Sequence, residues 1–113
     1  MLSTFQKQEK YKREGVPFAR LQQTKSTRQI RINADGRRII SCKYKDCYNC
    51  NVLFSVEEKK LRINPCKNGD YSMLFEHTGG IRICVHSLFN HYDFMDFERH
   101  PIEFNDDCFD IVF

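Results

Sequence analysis

Residues 28–45 read RQIRINADGRRIISCKYK. The first seven alternate, with Ile30, Ile32 and Ala34 on one face, which is the period of a half-buried strand. Asp35-Gly36 then supplies a two-residue hairpin signal, because a type I′ turn needs φ > 0 at both central positions. Residues 37–45 read as the return strand. With that turn Ile32 is expected opposite Ile39, and Arg31 opposite Ile40. Arg31 and Arg38 then share one face of the hairpin while Ile30, Ile32 and Ile39 share the other.

Two further hairpins follow. In residues 52–69, VLFSVEEKKLRINPCKNG, Val52, Phe54 and Val56 alternate inward. Residues 57–60 make a charged tip, Leu61 and Ile63 return, and Pro65 and Asn68-Gly69 end the element. Residues 71–86 fold back at Gly79-Gly80, again read as a two-residue turn. The period changes in SLFNHYDFMDFERHP, residues 87–101. Leu88, Phe89, Tyr92 and Met95 sit at helical spacing, Ser87 is a candidate N-cap, and Pro101 ends the helix near His100. The expected fold is α+β: about six antiparallel strands in a β-meander, with one C-terminal α-helix packed across the sheet. Residues 1–16 read as a polar linker and 17–101 as the sheet-plus-helix module. Residues 102–113, ending CFDIVF with Phe109, Ile111 and Phe113 on one face, read as the start of a truncated following strand or domain.

The 113 residues suffice for one core without staples, and ten Phe and five Tyr supply much of it. No apolar run approaches the ~18 residues of a membrane span, and the N-terminus carries no apolar secretory region. The six Cys therefore read as reduced thiols of a cytoplasmic protein. Cys42, Cys47 and Cys50 are followed by Cys66 and by Cys84-x-His86. Zinc prefers two close-spaced ligand pairs; Cys47-x2-Cys50 is one acceptable pair, and the second would have to come from Cys84 and His86 on a strand, so structural thiols are expected, with no metal and no cofactor. His77, His86, His91 and His100 have no nucleophile context beside them, and no glycine loop cradles a phosphate, so no catalytic site is expected.

Charge is distributed unevenly. Residues 1–50 carry twelve Lys/Arg and four Asp/Glu, net +8; residues 51–113 carry six and eleven, net −5. The basic residues Arg20, Lys25, Arg28, Arg31, Arg37, Arg38, Lys43 and Lys45 are candidates for an electropositive face. Such a face suits an acidic protein segment. It also suits nucleic-acid phosphates, although only Tyr44 and Tyr48 are at hand for base stacking. The bland alternative is that the two halves neutralise each other in the fold.

Val52-Leu53, Leu61, Ile63 and Asn68-Gly69 make residues 52–69 similar to the central hairpin of the first cryptic polo box in the Polo-like kinases of centriole duplication. Pro17, Arg20-Leu21 and TKSTRQIRINADGRR match in order upstream; Tyr71-Ser72 and a helix ending in a charged residue plus Pro match downstream. The resemblance spans about residues 17–101. It departs in KDCYNCN and in HTGGIRI, which stands where the family has a Leu-Pro-aromatic segment. It implies a non-catalytic targeting module of a serine/threonine kinase, followed by a second polo box. Such a module dimerises, binds acidic segments of centriolar scaffold proteins through a basic face, and recruits the kinase to the centriole. The alternative expectation is a small β-rich nucleic-acid-binding module using the same basic hairpin.

Overall fold

The computed structural model describes residues 16–23, 28–55, 57–85 and 98–113. Eight strands are present: β1 Phe18–Gln23, β2 Arg28–Ile32, β3 Asn49–Ser55, β4 Lys60–Cys66, β5 Tyr71–Phe75, β6 Ile81–Cys84, β7 His100–Phe104 and β8 Phe109–Val112. A single helix among the described residues, α1 Ala34–Lys43, joins β2 to β3. The strands close into an antiparallel barrel in the order β1-β2-β6-β5-β3-β4-β8-β7, with β7 back on β1. Alternation fills its interior. Ile30, Leu61, Ile63, Ile81, Ile83, Phe109 and Ile111 are fully buried, and an interior of eight strands is just wide enough for such side chains to fill.

The β3–β4 hairpin follows its sequence reading. Val52 pairs with Ile63 and Phe54 with Leu61. The strand runs through Pro65 to Cys66, a little beyond the expected stop. The β5–β6 hairpin is also present, with Met73 opposite Ile83 and Phe75 opposite Ile81. Its turn is longer than the expected two residues, because residues 76–80 all lie between that last pair. The Glu76 N–H donates to the Gly80 carbonyl at 2.9 Å, and Gly79 takes φ +102°.

The expected open meander with a helix across it is overturned by this closed barrel. The largest correction falls on residues 34–43, which form α1 instead of a turn and a return strand. Asn33 is the N-cap: its Oδ1 accepts from the Gly36 N–H at 2.9 Å, satisfying a donor that the helix cannot. Asp35 stands in the first turn and Lys43 in the last, both favourable to the helix dipole. Gly36 is required by close approach, since a Cβ there would meet Ile32 Cγ2 at 2.6 Å. The partners of β2 are accordingly β1 and β6; Ile32 lies opposite Ala19 and Ile81, not Ile39.

Two more differences close the barrel. The segment FARLQQ, given no strand in the sequence reading, is β1. His100, where a helix was expected to end, begins β7. The helix itself was expected over residues that fall mostly in 86–97, outside the described residues, as do residues 1–15 of the expected linker. Residues 109–112 pair as β8 with β4 and β7 of the same barrel. The helix α1 covers one barrel end. Ile40 is fully buried, Arg37 reaches the β5–β6 turn, and just past the helix the Tyr44 hydroxyl lies 2.7 Å from the carbonyls of Asn105 and Cys108.

Candidate functional site

Residues that alternate with the core face outward, and on three adjacent strands they are arginines. Arg20 on β1 is the direct partner of Arg31 on β2, and Arg31 is the direct partner of Arg82 on β6. Leu74 on β5 continues the line beyond Arg82. Neighbouring strands lie ~4.8 Å apart, so the three Cα atoms span roughly 10 Å. Like charges placed directly opposite destabilise a sheet. Two of the three are partly compensated. Arg31 Nη2 pairs with Glu76 Oε1 at 2.9 Å, and the Arg20 guanidinium carbon lies 5.6 Å from the centre of the Phe18 ring. Arg82 has no ion pair among the described residues, and its Nε is buried without a hydrogen-bond partner.

A fourth arginine approaches from α1. Arg37 Nη1 donates to the Glu76 carbonyl at 2.7 Å and more weakly to that of Gly80 at 3.4 Å. Its guanidinium carbon sits 5.1 Å from the centre of the Phe75 ring. The N-cap at Asn33 sets the first turn of α1 and so places Arg37 over the β5–β6 turn. Among the described residues Glu76, on Arg31, is the one carboxylate ion-paired with these four arginines. A cleft of about 380 Å³ opens beside the row, lined by Arg20, Gln22, Arg31, Asn33, Glu76 and Thr78.

The other sequence candidates lie elsewhere. Arg38 is on α1, exposed, and pairs with Asp35 at 3.4 Å, so it does not share a face with Arg31 as a hairpin would have required. Lys43 and Lys45 are exposed at and just past the end of α1. Arg28 stands on the strand face of Ile30 and Ile32, with Nη1 buried. Lys25 lies outside the described residues. Arg20, Arg31 and Arg37 are therefore brought together, and Arg82 joins them from the acidic half of the chain. Its signal was present in the sequence: in GGIRIC an arginine between two isoleucines must face out of a strand whose isoleucines face in.

Among the described residues no group of three or more His, Cys, Asp or Glu is placed to hold a metal ion. Cys50 is fully buried in the core, where burial, and then Cys66, push its thiol up to about 12. Tyr44 is buried too. Burial first, then the charges of Cys108, Asp106 and Asp107, raise its hydroxyl to about 12, against a lowering by its hydrogen bond to the Asn105 carbonyl. Comparison with protein-family models, with curated proteins and with solved structures returns no match.

Proposed function

We propose that this chain is a non-catalytic binding module that takes an acidic segment of a partner protein along the row Arg20–Arg31–Arg82. The observation that carries the reading is the register itself: three arginines in direct cross-strand opposition, with one glutamate among them. A guanidinium can hold a carboxylate through two parallel N–H donors, which a lysine cannot do. Nucleic acid is the less favoured occupant, because among the described residues Tyr48 is the one ring near the row that is largely exposed, and a strand of successive bases needs several. Phe18 faces Arg20 and Arg99, Phe75 faces Arg37, and Tyr44 is buried. In the form that the polo-box resemblance implies, the acidic segment belongs to a centriolar scaffold protein, the module dimerises, and it brings a serine/threonine kinase to the centriole. The closed barrel is not the sheet-plus-helix arrangement expected with that resemblance, so the proposal rests on the arginines.

The test is a binding titration over a salt series with an unstructured Glu/Gly/Ser peptide and a single-stranded oligonucleotide of equal charge. Arg20→Glu and Arg82→Glu are the informative changes, because both face outward and neither breaks the Arg31–Glu76 pair. Each reversal is expected to weaken peptide binding roughly 3- to 10-fold, and the double change to abolish it. Peptide binding indifferent to both reversals sinks the proposal. Tighter oligonucleotide binding with a steep salt slope replaces it with the nucleic-acid reading.

A further inference from the structure

Beyond the row lies a second, differently built feature. A pocket of about 310 Å³ sits between α1, the loop after it and the end of β5, lined by Arg37, Ser41, Asp46, Cys47, Tyr48 and Phe75 along with Tyr44. Tyr48 meets Phe75 edge-on, with ring centres 5.7 Å apart and planes at 72°, yet stays 62% exposed. Leu74, beside Arg82 in the register, is 43% exposed. Single exposed apolar residues are ordinary. These two flank Phe75 at the end of a cationic row. Asp46 adjoins the pocket with φ +61°, a left-handed conformation uncommon for a residue with a side chain. Its carboxylate and the Arg37 guanidinium both line the pocket, whereas Arg31 and Arg82 belong to the row outside it.

We infer that the Tyr48–Phe75 pocket receives one uncharged aromatic side chain of the same acidic segment whose carboxylates lie along the arginine row. The inference rests on the proposed function and specifies its partner. The two features are contiguous: Arg31 contacts the Glu76 side chain, Arg37 contacts the Glu76 carbonyl and the Phe75 ring, and Phe75 contacts Tyr48. Arg37 and Asp46 both line the pocket and offset each other's charge, so it suits an uncharged ring and leaves the acids to the arginine row. The volume stands at the bottom of the ~300–1,000 Å³ occupied by small-molecule sites, a size for one side chain. A ring edge or face against Tyr48 and Phe75 gains from aromatic pairing, and aromatic anchors in such pockets dominate many interfaces.

The experiment compares Glu/Gly/Ser peptides of equal charge in which the residue next to the acidic run, on either side, is Phe or Ala. They are titrated against the full chain, its Tyr48→Ala variant and the Arg20→Glu/Arg82→Glu variant. Tyr48 is exposed, so its truncation spares the core, and circular dichroism checks the fold. On the unaltered chain one Phe peptide is expected to bind about tenfold tighter than the Ala peptide. Tyr48→Ala erases that difference and leaves Ala-peptide affinity unchanged. Equal affinity of the Phe and Ala peptides overturns the pocket and leaves the arginine row standing. No binding of any peptide overturns both. An oligonucleotide that loses more affinity than the Phe peptide on Tyr48→Ala overturns the inference in favour of a stacked base.

Discussion

Replacing Asn33 by Ala is the sharpest test of how residues 33–43 fold. The Asn33 Oδ1 accepts from two backbone donors, Gly36 N–H at 2.9 Å and Phe18 N–H at 3.0 Å, both partly buried. Its Nδ2 donates to the Val16 carbonyl at 3.0 Å in an exposed setting, where water can substitute. One net hydrogen bond is worth about 1 kcal/mol, and loss of a helix N-cap costs ~1 kcal/mol. The two partly buried donors therefore make Asn33→Ala cost about 2 kcal/mol, and the exposed bond adds little. Asn33→Asp keeps both acceptor bonds and adds a negative charge at the helix start, offset by the nearby Asp35 and by the lost donor. It should stay within about 1 kcal/mol of the parent. Urea unfolding followed by circular dichroism and tyrosine emission measures both, with an unchanged slope showing that the denatured state is not affected. If Asn33→Ala costs under ~0.5 kcal/mol, or Asp proves as damaging as Ala, Asn33 does not start a helix.

Two further outcomes follow from buried groups. The Tyr44 hydroxyl, raised to about 12, keeps its proton in the folded chain at a pH where the unfolded chain releases it. Stability contributed by Tyr44 is thus complete below pH ~10 and declines as pH rises toward 12. Tyr44→Phe should cost about 1 kcal/mol at neutral pH and flatten that alkaline decline; an identical decline in both proteins would refute the assignment. Thiol labelling at mildly alkaline pH should modify exposed Cys42 rapidly and Cys50 only as fast as the barrel unfolds, because burial holds the Cys50 thiol near 12. Labelling of Cys50 at the Cys42 rate in native protein would show that strand β3 opens locally.

How much of the barrel could be read from the sequence varied by element. The β3–β4 hairpin was legible because its apolar residues alternate on both sides of a charged tip, and the register Val52–Ile63 follows from matching them. Strand β1 was not. Its inward apolar residues are only Ala19 and Leu21, and Phe18 lies on the other face, so the strand is defined by its partners more than by its own pattern. Residues 34–43 carried two conflicting signals. Asp-Gly is strong hairpin chemistry, but Gly36, Ile40 and Tyr44 recur every four residues, and all three are buried. Adjacent Ile39 and Ile40 cannot both face inward on a strand, which is where the alternation failed. The cap at Asn33 tipped the balance toward the helix.

The arginine row was half legible for a related reason. Charge counts along the chain give the sign of a surface but not its place. The net +8 of residues 1–50 pointed to one basic hairpin, and four of the seven candidates among the described residues are dispersed: Arg38 is spent on Asp35, Arg28 shares the strand face of Ile30 and Ile32, and Lys43 and Lys45 follow the end of α1. What concentrates charge is the strand order. Because β6 lies beside β2, an arginine from the net −5 half completes a line begun by two from the basic half. Three arginines in direct opposition repel one another in the unliganded barrel. A bound polyanion removes that repulsion only in the folded chain, where the row exists, so its binding stabilises the fold by mass action. On the proposed reading, the same register that costs the empty barrel stability supplies part of the driving force for an acidic segment to bind.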